Sequence, residues 1–350
     1  MAAFQILPFN ISNAAAGEYA ALTRYNNCLQ LERLPDDPPA SLEESIAYLQ
    51  NLPPLLDMKI WAAWNADQSE IIGQGSVAVW RTEDNQHLAH FSVSVLPEYR
   101  RQGMCREFLR AIVVIAQKEK RRLLMTIIND GAPGGIALLT RLGASKSLEG
   151  HSNQLQLTDL DRDLLARWLS NGQSNQAEFE LGFWDGAYPQ DKLQDVAELY
   201  DLVNNQQPLD NLDVEEVHTT PELLRQTETS LFSKGDERWT YYLIDRATGK
   251  FAGCTDILWN PNRPNFLQQG MTGVFPRYRN KGLGRWLKAV MLDKVLKERS
   301  QVKFIRSHNA DSNAAMLKIN TALGFRPHMV ESLWQVETRK VVEYLEACQD

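Results

Sequence analysis

One segment of this 350-residue chain is written twice. Val95-Leu96-Pro97-Glu98-Tyr99-Arg100-Arg101-Gln102-Gly103 returns as Val274-Phe275-Pro276-Arg277-Tyr278-Arg279-Asn280-Lys281-Gly282, with matched residues 179 apart. Upstream, Ile72-Gly73 answers to Ala252-Gly253 at an offset of 180, and downstream Leu142-Gly143-Ala144 answers to Leu323-Gly324-Phe325 at 181. An offset this constant over so much chain points to two copies of one domain, each of ordinary domain size. The predicted division is a domain over 1–158, a linker over 159–177 and a second domain over 178–350.

Both copies of the segment read as a strand end, a basic turn with glycine and a helix start. A loop of this kind presents unpaired backbone N–H groups to one point, with the positive end of the helix dipole behind them. That makes a site for a phosphate or pyrophosphate. In the second copy the candidate binding residues are Val274, Arg279, Asn280, Lys281, Gly282, Leu283, Gly284 and Arg285. In the first they are Val95, Arg100, Arg101, Gln102, Gly103, Met104 and Cys105. The copies differ at the last small position of the loop, which is Gly284 in one and Cys105 in the other. A cysteine there narrows the approach to a phosphate, and it is either a low-pKa thiol at a helix N-terminus or an inert, half-buried one.

Around the loops, the pattern predicts helices over 14–33, 41–51, 104–118 and 136–142, and strands over 59–64, 71–80, 88–95 and 123–128. The second copy predicts strands over 178–183, 238–244, 251–259, 267–274 and 302–307, and helices over 192–203, 221–232, 284–297 and 314–323. A strand over 332–338 and a helix over 341–347 close the chain. The segment 129–135, rich in glycine, reads as a loop, and 170–176 as a polar linker. An antiparallel meander feeding a strand–loop–helix crossover is an α+β architecture.

At this point the residues resemble the GCN5-related N-acetyltransferase (GNAT) superfamily. The resemblance rests on Arg279, Gly282 and Gly284 at the strand–helix junction, and on Asn309-Ala310-Asp311-Ser312-Asn313 running into a helix that ends at Leu323-Gly324-Phe325. It covers nearly the whole chain, and the layout is similar to tandem members such as mycothiol-synthase-like proteins. It implies two GNAT-type domains, each a mixed, mostly antiparallel sheet flanked by helices. It also implies acetyl-CoA as co-substrate, with the loop N–H groups on its pyrophosphate and the pantetheine arm between the strands ending at Val274 and near Ser307. Asn309 and Asn313 then belong to the binding set, and Asn313 is also a strong helix N-cap by residue type. The implied reaction is acetyl transfer to a small amine by direct attack on the thioester, with the second copy catalytic and the first degenerate. A non-catalytic acyl-CoA-binding or sensing protein is the alternative.

Such chemistry needs a base for the ammonium, a donor for the oxyanion and protonation of the leaving thiolate. A backbone N–H at Val274 or Phe275 suits the oxyanion. The family often places a tyrosine as general acid where this chain has Asn320. An amide donates a hydrogen bond but delivers no proton near neutral pH, so Asn320 is either a weak catalytic aid or a packed helix residue. Asp256 is the candidate base if its strand buries it, since burial raises a carboxyl pKa. The alternative is that Asp256 faces solvent. His308 and Glu237 are weaker candidates.

Between Asp191 and Glu237, acidic residues outnumber basic ones twelve to three, a bias that suits a cationic acceptor or simply solvated helix faces. The net charge of −7 argues against a nucleic-acid surface. No apolar run is long enough for a membrane span, and the start of the chain carries no secretory pattern. Four scattered cysteines and six scattered histidines show no metal-ligand spacing. The expectation is a cytoplasmic protein without a metal, monomeric or homodimeric.

Overall fold

The computed structural model describes residues 4–206 and 209–348. The first repeat forms β1 (Gln5–Phe9), α1 (Ala16–Arg33), α2 (Leu42–Gln50), β2 (Leu56–Trp64), β3 (Ile71–Trp80) and β4 (Leu88–Val95). It continues with α3 (Met104–Lys118), β5 (Leu123–Asn129), α4 (Pro133–Arg141) and β6 (Ser145–Gln156). Helix α5 (Arg162–Gln173) follows. The second repeat forms β7 (Phe179–Asp185), α6 (Leu193–Asn205), α7 (Pro221–Ser233), β8 (Glu237–Asp245), β9 (Phe251–Trp259) and β10 (Phe266–Val274). It ends with α8 (Leu283–Glu298), β11 (Phe304–Ala310), α9 (Ala314–Leu323), β12 (Arg326–Glu337) and α10 (Thr338–Ala347).

Local chemistry accounts for several boundaries. Ser41 and Glu44 form a capping box at α2, with the Ser41 hydroxyl accepting from Glu44 N–H at 3.1 Å and the Glu44 carboxylate from Ser41 N–H at 2.9 Å. Thr220 caps α7 and Pro221 occupies its first turn, where a missing N–H costs nothing. The stretch 129–135, expected as a loop, is a turn that enters α4 at Pro133 for the same reason.

The chain divides into two compact units, and neither is continuous in sequence. Unit 1 takes Met1–Glu149, Leu209–Glu215 and Glu331–Asp350, and unit 2 takes Gly150–Pro208 and Glu216–Val330. The repeat alone predicts boundaries at 158 and 178, and the compact units differ from it because the last strand of each repeat is exchanged. In unit 1, β5 pairs antiparallel with residues 331–337 of β12, from Glu331 opposite Asn129 to Glu337 opposite Leu123. In unit 2, β11 pairs antiparallel with residues 150–156 of β6, from Ala310 opposite Gly150 to Phe304 opposite Gln156. The C-terminal helix α10 consequently packs Val341 and Leu345 into the α3 core of unit 1. Each of these strand positions is filled by the other repeat's closing strand.

Each unit has a sheet covered on both faces. In unit 1, Phe108, Leu109 and Ile112 of α3 cover one face, and Tyr19, Leu22 and Tyr25 of α1 cover the other. In unit 2, Met291, Leu292 and Val295 of α8 pack with Leu267, Ile305, Leu323 and Phe325. Val196, Ala197 and Leu199 of α6 cover the opposite face with Leu224 of α7 and Cys254 of β9. The predicted linker holds the buried Leu165, Trp168 and Gly172 of α5, capped by Asp161 accepting from Leu164 N–H at 2.8 Å. Most of its polar residues are exposed on that helix.

Candidate active site

The two loops share one backbone geometry. Asn280 and Gly282 have φ of 63° and 77°, and Arg101 and Gly103 have 66° and 93°. A left-handed residue just before the helix is what glycine permits without a Cβ clash. The turn places Gly282 and Gly103 at the N-caps of α8 and α3. Within α8 the N–H of Trp286 is bonded to the Gly282 carbonyl at 3.0 Å, while Leu283, Gly284 and Arg285 precede it and have no intrahelical acceptor. Open space surrounds the position a Cβ would take at Gly282 and Gly284. This is an anion cradle, and acetyl-CoA's pyrophosphate fits its donor set.

The arginine of the motif does something the sequence does not reveal. Arg279 donates from Nε to the Val274 carbonyl at 3.0 Å, and Arg100 does the same to the Val95 carbonyl at 3.0 Å. Each therefore braces the end of its own strand. Arg279 also donates to the Gln206 side chain at 2.6 Å, whereas Arg100 meets the Glu32 carboxylate at 2.6 Å. The charge of Arg279 stays uncompensated by that partner, and the charge of Arg100 is countered. Lys281 forms an exposed ion pair with Glu178 at 2.6 Å.

Beside each loop, two parallel strands part. β10 and β11 pair only over Phe266–Gln268 and Phe304–Arg306, and β4 and β5 only over Leu88–His90 and Leu123–Met125. Beyond those residues the strands carry no further ladder, which opens a slot toward each loop. Phe275 N–H is bonded to the Ala252 carbonyl at 3.0 Å, so it is not a free oxyanion donor. Backbone groups alternate sides along a strand. Val274, whose carbonyl is already turned away from β9 to Arg279, points its N–H to the slot side.

The copies diverge at the next feature. In β10 the register against β9 shifts between Gln269, opposite Ile257, and Thr272, opposite Thr255. Gly270 and Met271 thus both face Asp256, forming a β-bulge. The β3–β4 ladder runs without a shift from Gly73 opposite Val95 to Ala78 opposite His90, and Ser76 stands where the repeat would put Asp256.

Asp256 is buried, 2% exposed, which removes the reading of a solvent-facing carboxylate. It accepts from Met271 N–H at 3.1 Å and from the Tyr188 and Tyr200 hydroxyls at 3.2 and 3.5 Å. A Cβ on Gly270 would fall 1.8 Å from its Oδ1, so only glycine fits opposite it. Burial pushes its pKa up to about 6, against the pull of the Arg238 charge and these hydrogen bonds. Arg238 lies 3.5 Å over the Tyr188 ring and is itself held by the buried Glu228. Thr240, directly across the ladder from Asp256, has a buried hydroxyl with no hydrogen-bond partner among the described residues. Tyr188, Tyr200, Arg238 and Thr240 escape a sequence reading because they gather from a loop, a helix and a strand that lie far apart in the chain.

The asparagines take defined places. Asn313 is the N-cap of α9, accepting from Met316 N–H at 3.3 Å. Asn320 is 1% exposed and donates to the Asn309 side chain at 2.8 Å and the Ser307 hydroxyl at 3.4 Å. Its own Oδ1 has no hydrogen-bond partner among the described residues. Asn320 is thus a packed helix residue joined to β11, and its amide is committed to Asn309.

Other expectations resolve locally. Burial pushes the Cys105 thiol up rather than down, which argues against the reading of a low-pKa thiol. Part of the acidic bias is taken up by ion pairs. Glu228 binds Arg238 and Arg225, Asp236 lies 3.2 Å from Lys234, and Glu237 is paired with Arg299. Asp213 and Glu215 belong to unit 1, where Asp213 meets Arg122 at 2.8 Å. Among the described residues, no group of three or more His, Cys, Asp or Glu side chains could hold a metal ion. No helix among them is long and apolar enough to cross a membrane.

Two strand–loop–helix units with anion cradles and parted parallel strands define a tandem acyl-CoA-dependent acyltransferase fold. The model of the acetyltransferase (GNAT) family matches this chain twice, over residues 25–144 and 196–325. The chain belongs to that family, as a tandem member. It is similar to a tandem GNAT protein from the clavulanic acid biosynthesis pathway, solved without AcCoA, at 23% identity and TM-score 0.76, covering 96% of this chain and 99% of that one. A GCN5-related N-acetyltransferase from Sphaerobacter thermophilus aligns at 12% identity and TM-score 0.66, over 95% and 96% of the two chains. A GCN5-related glucosamine N-acetyltransferase region in a fungal multi-domain GH3 β-N-acetylglucosaminidase aligns at 13% and 0.63, over 96% of this chain and 38% of that one. At these identities the likeness is one of fold. The comparison with curated proteins gives no match.

Proposed function

We propose that this protein transfers an acetyl group from acetyl-CoA to a small amine and that unit 2 is its catalytic half. The observation that carries this reading is the coincidence, in unit 2 alone, of the parted strands with a bulge and a buried carboxyl. Gly282, Leu283, Gly284 and Arg285 would hold the pyrophosphate, with Asn280, Lys281 and Asn309 at the rim of the slot. The Val274 N–H is the donor available to a developing oxyanion. Asp256 is the base. A carboxyl held at about 6 is ionised at neutral pH yet basic enough to take a proton from an ammonium. Tyr188 and Tyr200 orient it. Unit 1 keeps the loop and the slot without the bulge and without the carboxyl, which supports CoA binding there without transfer.

The burial of Asn320 favours a second reading, an acyl-CoA sensor in which both units bind and neither transfers. Calorimetric titration with acetyl-CoA, followed by a turnover screen on a panel of primary amines, separates the two. One or two sites with turnover on any amine, lost in Asp256→Asn with binding kept, is the expected result. Binding without turnover on every amine would favour the sensor, and no binding would defeat both.

A further inference from the structure

Lys288 is the least expected residue in unit 2. It lies in the second turn of α8 and is 2% exposed. Among the described residues it has no hydrogen bond and no ion pair, and its closest ring contact is Phe325, 5.8 Å from its Nζ. A buried, unpaired ammonium is costly, so its retention calls for a use.

Its position follows from the helix. Met291, Leu292 and Val295 come three, four and seven residues later, the spacing of one helical face, and they pack with Leu267 of β10, Ile305 of β11, and Leu323 and Phe325. Lys288 therefore sits on that face one turn nearer the N-terminus of α8. A crossover helix runs back along its strands, so one turn toward its start is one step toward the strands' C-terminal ends. There β10 and β11 have already parted, past Gln268 and Arg306. The same side of β11 carries the buried Ser307 and the half-buried Asn309, which Asn320 of α9 reaches across to meet. The floor of the slot is thus polar, and among the described residues the buried Asn320 Oδ1 has no hydrogen-bond partner.

We propose that Lys288 is the proton donor to the leaving CoA thiolate, in the role that Asn320 cannot fill. The inference rests on the reading of this slot as the acetyl-CoA site. The step balances. The C–S bond breaks with its electron pair on sulfur as the N–C bond forms. Lys288 gives one proton to sulfur, and the neutral amine left behind regains a proton from water. The proton shed by the acceptor ammonium goes separately to Asp256. Burial alone lowers the Lys288 pKa, to about 7, and no carboxylate or second cation on α5, α9, β10 or β11 contributes to it. A lysine so placed gives up a proton readily near neutral pH.

The test uses CoA itself and needs no acceptor. The full chain carrying Gly103→Asp, which silences the first loop, is titrated with CoA, and thiolate absorbance of the complex is followed against pH. In the complex the thiolate and the Lys288 ammonium stabilise one another and titrate as a pair, so the bound thiol should ionise at least about one pH unit below free CoA. Lys288→Met, nearly isosteric and free of any charge to bury, should keep CoA binding and lose that shift. Lys288→Arg should restore it in part. Equal thiol titration in Lys288→Met and its parent, with binding intact, would overturn the assignment of Lys288. Failure of the parent to bind CoA would overturn the slot reading, and this proposal with it.

Discussion

Replacing Lys288 by methionine should make the protein more stable, and the pH dependence of the gain is fixed by the structure. The lysine is fully enclosed, with burial as the single cause of a pKa that drops from 10.5 to about 7. In the unfolded chain the ammonium is hydrated and titrates at its ordinary value. Below about pH 7 both states carry the charge, and the folded state bears the whole cost of burying it. At about 1.4 kcal/mol per pH unit between the two values, that cost is about 5 kcal/mol as an upper bound. Between about 7 and 10.5 the folded state has lost its proton and the unfolded state still holds one, so wild-type stability rises with pH across that window. Above it both are neutral and the penalty is gone.

Methionine abolishes the penalty at every pH and fills nearly the same volume. Urea unfolding of wild type and Lys288→Met at steps from about pH 6 to about pH 10, with the transition of unit 2 followed separately because two units need not unfold together, should give a variant ahead by about 2–5 kcal/mol at the acid end. The advantage should shrink steadily toward the alkaline end. A variant no more stable at pH 6, or one whose advantage does not change with pH, would refute the claim that Lys288 is buried without a partner.

Other outcomes follow from the same geometry. Asp256→Asn should lower kcat by at least about a hundredfold, and the rise of kcat through about pH 6 in the wild type should vanish from the variant's pH–rate profile. Gly282→Asp places a side chain and a negative charge where φ is 77°, so calorimetry should lose the unit 2 CoA site entirely. Asn313→Ala removes a helix N-cap and should cost about 1 kcal/mol in thermal unfolding. A fall in CoA affinity beyond that of a destabilised helix would add a ligand role to the cap.

What the sequence discloses here is what is local and repeated. The residue pairs at an offset of 179 show the duplication because a turn with two left-handed residues and a helix N-cap tolerates few alternatives. The edges of β9, α3 and α9 are legible for the same reason, each bounded by a glycine, a cap or a change of period. The exchange of β6 and β12 is not legible. The two strands occupy corresponding places in the repeat, and hydrophobic alternation alone does not distinguish a strand that stays from one that crosses. The brace made by Arg279 is equally hidden, since an arginine in a phosphate-type loop reads first as a ligand for the phosphate. The site around Asp256 fails for a third reason. Its burial depends on Gly270 and the extra residue of the bulge, and a one-residue register shift leaves no mark on hydrophobic periodicity.

The duplication then has a physical reading of its own. Both units keep the features that hold a pyrophosphate and admit an extended arm, namely the αL turn, the free helix N–H groups and the parting of two parallel strands. Only unit 2 adds the groups to which the proposal assigns proton transfer, and these are the costly ones. A carboxyl with no surface beside it, a lysine without a counter-ion and an unpaired threonine hydroxyl each work against folding. In unit 1 the corresponding strand position is Ser76, the register is regular, and the helix that matches α8 presents Leu109, Ile112 and Val113 to the core. Unit 1 has the composition of a site relieved of chemistry, free to be filled with apolar side chains. Unit 2 keeps buried polar groups of the kind that gather at reaction sites, which agrees with the transfer proposed there.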